Sequence, residues 1–96
     1  MNIGFAIKKL RKESAPDLTQ YQYAERIGIT QAYLSQIEKG RKRPSMEVIE
    51  CVAKDFEIPL AILFWFGVED SDIRSEKREY FRFLKPSIDT LIESIV

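Results

Sequence analysis

The stretch GITQAYLSQIEKGRKRPS, residues 28–45, decides how this chain is read. It opens on a turn signal, continues as a short helical pattern and ends with Lys39, Arg41, Lys42 and Arg43 gathered within five residues. Gly28 supplies the positive φ that a tight reversal requires. Thr30 is a favourable N-cap for a helix from Gln31 to about Lys39, and Gly40 closes it. At about 100° per residue, Leu34 and Ile37 fall on the inner side of that helix, and Ala32, Ser35, Gln36 and Lys39 project from the opposite side, flanked by Gln31 and Tyr33. A helix packed for stability alone usually exposes Glu and Lys at such positions. Amides, a hydroxyl and a methyl are instead the groups that read base edges in the major groove: Gln bonds adenine bidentately and Ala touches the thymine methyl. Taken alone, the pattern also fits a short surface helix with no binding task.

Its surroundings favour the first reading. The capping-box pattern Thr19-Gln20-Tyr21-Gln22 starts a preceding helix that runs to about Ile27. Ala24 offers the small side chain that a close helix crossing needs, and Ile29 tucks behind the turn. The four cations after the second of these helices are placed to hold phosphates and set its register, as positioning contacts do. The helix reads and the basic loop clamps.

Almost everything else between the four prolines is helical in pattern as well. Ile3, Ala6, Ile7 and Leu10 recur at helical spacing, with Lys8, Lys9, Arg11 and Lys12 on the other sides, so a first helix ends near Ser14 before Pro16. Ser45 caps a fourth helix with a stripe of Met46, Ile49, Val52, Ala53 and Phe56, and Pro59 opens a fifth that is apolar all round from Leu60 to Phe66. Asp72 is expected to cap a sixth helix carrying Ile73, Lys77, Tyr80, Phe81 and Leu84. Pro86 is expected to begin a seventh, with Ile88, Leu91, Ile92 and Ile95 along one side. Strand signals are absent, and the predicted class is all-α.

Composition narrows the function. Ninety-six residues make about one domain, and the longest apolar run, residues 60–66, falls far short of the roughly 20 needed to cross a bilayer, so no membrane partner is expected. A single cysteine and the lack of an apolar leader point to a cytoplasmic, reducing compartment. The formal net charge of zero conceals an asymmetry: residues 1–44 carry nine cations and four anions, and residues 45–96 carry six cations and eleven anions. That division implies a basic face for a polyanion and an acidic remainder turned to solvent or to a protein partner.

There is no histidine, the commonest general base and metal ligand, and the four glycines are isolated rather than gathered into a phosphate-binding loop. Glu47 with Glu50, and Asp70 with Asp72, are better explained as helix-start and surface charge than as an acid/base pair. Cys51 lies roughly opposite the stripe of its helix, among acidic neighbours that do not favour a reactive thiolate. The chain is expected to be no enzyme and to need no metal or cofactor.

With these residues in view, the chain resembles the Cro and repressor type (XRE) helix-turn-helix regulators. The resemblance is carried by Leu18-Thr19-Gln20, by the run AERIGITQ at 24–31, by YLSQIEKG at 33–40 and by Arg43-Pro44-Ser45, and it spans roughly residues 3–66. It implies a five-helix repressor-like domain, residues 1–68; residues 69–96, beyond the resemblance, are read from their own helical pattern as a C-terminal extension expected to serve dimerisation. It also implies a sequence-specific transcription regulator, most simply a repressor, that binds a near-palindromic double-stranded DNA operator as a homodimer with the third helix in the major groove. By the same resemblance Gln31, Ala32, Ser35 and Gln36 are base readers, Gln20 is a phosphate contact and Tyr33 a flanking backbone contact, beside Lys39, Arg41, Lys42 and Arg43. Tyr21 and Tyr23 depart from the family's usual acidic and leucine residues, and the loop at 13–17 is longer than usual. Subunit contacts are expected from Leu60, Leu63, Phe64, Trp65, Phe81, Leu84, Ile88, Leu91, Ile92 and Ile95. The reading from a different class is a protein-interaction module, such as an antitoxin or antirepressor partner, acting through the acidic C-terminal half.

Overall fold

Each of the first four helices begins on a residue whose side chain satisfies a free backbone amide. The computed structural model describes residues 1–94. In α1 (Ile3–Ser14) the Asn2 side chain accepts from the amide of Phe5 at 2.9 Å. In α2 (Gln20–Ile27) Thr19 Oγ1 accepts from the Gln22 amide, and Gln22 Oε1 accepts in return from the Thr19 amide. Thr30 caps α3 (Gln31–Glu38), and Ser45 caps α4 (Met46–Asp55). Pro59 occupies the cap position of α5 (Leu60–Phe66), where its missing N–H costs nothing. Gly28 ends α2 at φ 79°, and the chain reverses at once into α3.

α1 is the centre of the assembly, packing on both α3 and α5, while α2 lies across α3 and α4. Ala6, Ile7 and Leu10 of α1 meet Tyr23 and Ala24 of α2, Leu34 and Ile37 of α3, Val52 of α4, and Leu63 and Phe66 of α5 in one buried cluster. The approach of α1 to α3 is close enough to require glycine: a β-carbon at Gly4 would overlap the carbonyl oxygen of Ile37. The core therefore grips α3 from behind, by Leu34 and Ile37, and leaves its other side free.

Two expectations about the domain are corrected. The α4 stripe loses its first member, because Met46 sits at the helix start and is exposed; Ile49, Val52 and Ala53 are buried, and Phe56 stacks on Tyr23 at 5.4 Å between ring centroids. Leu63 is fully buried in the chain's own core, so it has no surface to offer a second subunit.

The tail differs most. Two 3-10 turns, Asp70–Asp72 and Ser75–Lys77, lead into a single helix α6 (Arg78–Glu93) that runs through Pro86. Asp72 caps no helix of the expected kind, because its carboxylate is turned back onto the amide of Glu69 at 2.8 Å and the terminal ammonium of Met1 at 2.7 Å. Pro86 starts no new helix, because one continuous helix keeps Phe81, Lys85, Ile88, Asp89 and Ile92 on the side that faces the domain. There Trp65 Nε1 donates to Asp89 Oδ1 at 2.7 Å, Phe81 meets the indole edge-on at 6.0 Å, and the Lys85 ammonium lies 5.6 Å from the ring centre. Lys9 reaches from α1 to Glu93 at 3.1 Å and ties down the far end. Ile95, expected among the subunit contacts, lies outside the described residues. No helix among the described residues is long and apolar enough to cross a membrane.

Candidate nucleic-acid interface

The eight residues of α3 divide by burial into an anchor and a working face. Leu34 and Ile37 have no exposed surface, whereas Gln31 and Ala32 are exposed and Tyr33, Ser35 and Gln36 are half-buried with their outer atoms reachable. The division follows from the 3.6-residue period: with two positions fixed in the core, the remaining ones have only one side on which to project. Ala32, Ser35 and Gln36 carry no charge, so this face presents hydrogen-bonding groups and a methyl without a field that would favour any single counter-ion.

The end of α3 is folded tightly. Lys39 is its C-cap and Gly40 turns left-handed at φ 75°. The amides of Arg41 and Lys42 then both donate to the carbonyl of Gln36, at 2.9 and 3.2 Å. The basic loop is thus fastened to the backbone of a helix residue on the working face, and its position relative to that face is set by two hydrogen bonds. Its far end is fastened as well, since the amide of Ser45 donates to the Tyr33 hydroxyl at 3.3 Å. Lys39, Arg41, Lys42 and Arg43 are all exposed, and none of them forms an ion pair among the described residues.

A neighbouring cation behaves differently. Arg11 of α1 forms a bidentate pair with Glu38 at the end of α3, Nε to Oε2 and Nη2 to Oε1, each at 2.8 Å. The Glu38 side chain is only 3% exposed. The hydrogen bonds it donates to Glu38 hold the Arg11 guanidinium above its ordinary pKa, against the opposing effect of burial. Gln20 Nε2 donates to the same Glu38 Oε1 at 3.1 Å. An ionised carboxylate accepts only, so the amide must present its nitrogen to Glu38 and turn its oxygen away. Gln20 therefore keeps one N–H and its carbonyl oxygen for anything outside. Sequence reading missed this cluster: Arg11 counted as one of four cations on the outer sides of α1, and nothing in the local pattern links it to an acid 27 positions on.

The expected subunit contacts are scattered. Leu60, Phe64 and Trp65 are half-buried on α5, Phe81, Ile88 and Ile92 are half-buried beneath α6, and Leu84 and Leu91 are exposed. Tyr80 and Phe83, absent from that expected set, are the most exposed large apolar side chains on α6. Cys51, opposite the buried stripe of α4, is exposed.

A family described as helix-turn-helix matches residues 7–63. The immunity repressor protein of Bacillus phage phi105 is 36% identical over 80 residues, which cover 83% of this chain and 52% of that protein. The control protein C.MunI of a Mycoplasma species is 36% identical over 76 residues, covering 79% of this chain and 93% of its own length. The antitoxin PezA of Streptococcus pneumoniae is 39% identical over 56 residues, 58% of this chain and 34% of that protein. The matched stretch thus spans about half of the phage repressor and nearly all of the control protein. No solved structure matches.

Proposed function

This chain belongs to the helix-turn-helix family of DNA-binding transcription regulators, and from that premise we propose that it is a repressor that binds a near-palindromic operator as a homodimer, with α3 in the major groove. The observation that carries the proposal is the pairing of an uncharged, amide-bearing α3 face with four exposed cations fastened to the carbonyl of Gln36 and the hydroxyl of Tyr33. Gln31, Ala32, Ser35 and Gln36 read base edges; Lys39, Arg41, Lys42 and Arg43 hold phosphates on either side. Tyr33 contributes by holding the loop and flanking the backbone. Gln20 meets a phosphate through the one amide hydrogen that Glu38 leaves free. Repression follows the simplest logic of such a site, in which a bound dimer excludes another protein from the same duplex, and the similarity to a phage immunity repressor supports it.

The division of labour predicts two different losses. Gln36→Ala should weaken binding to the selected operator by roughly 1–3 kcal/mol and relax preference at particular base pairs, while leaving random duplex nearly unaffected. Arg43→Ala should weaken operator and random duplex alike and lower the salt slope by about one per bound subunit. Fluorescence anisotropy with an operator recovered by selection from random duplex measures both. Equal losses from the two variants on both kinds of DNA would end the assignment. A second reading, neutralisation of a partner protein through the acidic half, draws on the similarity to an antitoxin. It predicts duplex affinity that barely responds to salt.

A further inference from the structure

α6 has two apolar faces, and the domain uses one of them. Phe81, Ile88 and Ile92 turn inward, while Tyr80 is 71% exposed, Phe83 81%, Leu84 51% and Leu91 69%. At about 100° per residue Tyr80, Phe83, Leu84, Ser87, Leu91 and Ser94 fall within one arc of about 100°, the width of a buried helix face, and none of them is charged. The charges on the opposite side of α6 are spent within the chain: Arg78 Nε donates to the carbonyls of Asp70 and Ile73, Arg82 pairs with Asp70 at 2.6 Å, Lys85 with Asp89 at 2.8 Å, and Glu93 with Lys9 at 3.1 Å, whereas Lys77 and Glu79, exposed and without ion pairs among the described residues, flank the N-terminal end of the apolar arc. The arc itself carries no charge, so what covers it must be apolar along its centre.

A second copy of the same helix meets that description, and the spacing of the stripe gives its direction. Apart from Leu84, the face is symmetric about Ser87: Phe83 lies four residues before it and Leu91 four after, and Tyr80 lies seven before and Ser94 seven after. An antiparallel crossing at Ser87 sets each bulky Phe83 against the smaller Leu91 of the second copy, and each Tyr80 against a serine. A parallel pair would set Phe83 on Phe83 and Tyr80 on Tyr80. The exposed parts of two aromatic and two leucine side chains offer on the order of 500 Å2 per copy, so a pair buries about 1,000 Å2, the level at which a specific interface begins. A formal net charge of zero sets no long-range repulsion against the approach of two copies.

We infer that the outer face of α6 is the subunit interface, closed by an antiparallel contact with α6 of a second copy that crosses at Ser87. The inference rests on the homodimer reading above and replaces most of the contacts expected from sequence: Tyr80, Phe83, Leu84 and Leu91 form the interface, while Trp65, Phe81, Ile88 and Ile92 hold α6 to its own domain.

Sedimentation equilibrium of the full chain tests it. Wild type should be a dimer, and Phe83→Glu and Leu91→Lys, both at exposed positions and each checked by circular dichroism for an unchanged helix signal, should each raise the dimer dissociation constant at least about tenfold by placing a charge against an apolar partner. The double variant should recover most of that loss, because the antiparallel crossing sets the introduced carboxylate of one copy beside the introduced ammonium of the other. A double variant as weak as the singles would overturn the crossing direction, and single variants that remain dimeric would move the interface elsewhere. A monomeric wild type would overturn the contact itself. Binding of Phe83→Glu to a half-site separates these failures from failure of the DNA reading: retained half-site affinity leaves α3 and its loop as the DNA-binding surface whatever becomes of α6.

Discussion

Tyr23 carries a hydroxyl that is buried with no hydrogen-bond partner among the described residues. Its ring is held on the face of Phe56, and burial, assisted by the Asp55 carboxylate, pushes the phenol pKa far above its ordinary value. The group therefore stays protonated through the neutral and moderately alkaline range, and its cost is that of a desolvated hydroxyl rather than of a charge. Tyr23→Phe keeps the stacking and removes the orphan oxygen, so urea denaturation should show stability raised by about 1 kcal/mol, independent of pH near neutrality. A loss of similar size would mean that the hydroxyl is satisfied. The Arg11, Glu38 and Gln20 cluster shows the limit of reading at this scale. Sequence makes Arg11 an outward cation because its own helix has no use for it, whereas the fold brings it to a carboxylate 27 positions away. Long-range pairs of this kind leave no periodic trace, and the orientation of the Gln20 amide followed only from the pair.

At the scale of the element, α1 to α4 were legible because each carries its own boundaries: Thr19, Thr30 and Ser45 cap where the pattern of polar residue before apolar stripe places them, and Gly28 and Gly40 turn left-handed where the helices end. The tail departs from the same rules because tertiary contacts overrule them there. Pro86 is a good helix starter, yet it lies in the interior of α6, where it leaves the carbonyl of Arg82 without its usual donor. The helix persists because Trp65 is engaged from both sides of the proline, by Phe81 and Lys85 before it and by Asp89 after it. Pro86→Ala restores the missing hydrogen bond without disturbing any of those contacts. Thermal unfolding should then show a gain of about 1–3 kcal/mol, together with a stronger helix signal. No gain would mean that the carbonyl of Arg82 is already satisfied and that the proline carries no cost in α6.

The whole molecule is neutral, so its affinity for a polyanion depends on how its charges are distributed and which of them are free. Nine cations lie in residues 1–44, but the fold withdraws three of them: Arg11 to Glu38, Lys9 to Glu13 and Glu93, and Arg26 to Asp55 at 2.8 Å. Lys8 and Lys12 on α1 and the four loop cations remain without ion pairs among the described residues. Counterion release converts this inventory into a measurable slope, since each neutralised phosphate contributes about −0.9 to the dependence of log affinity on log salt. Four loop cations per subunit make eight for a dimer, so the slope expected on operator DNA is about −7. A steeper slope, near −11, would add Lys8 and Lys12 of both subunits to the contact surface and extend it along α1. A slope of about −2 or flatter would leave the loop in solvent and favour a protein target for the acidic half. Because the excess acid lies beyond residue 45, the field should also orient the approach with the basic loop toward the duplex, and the association rate should fall with salt together with the affinity. Stopped-flow anisotropy at several salt concentrations separates the two contributions. A rate that ignores salt while affinity falls steeply would place the whole electrostatic gain in the closed complex, after the encounter.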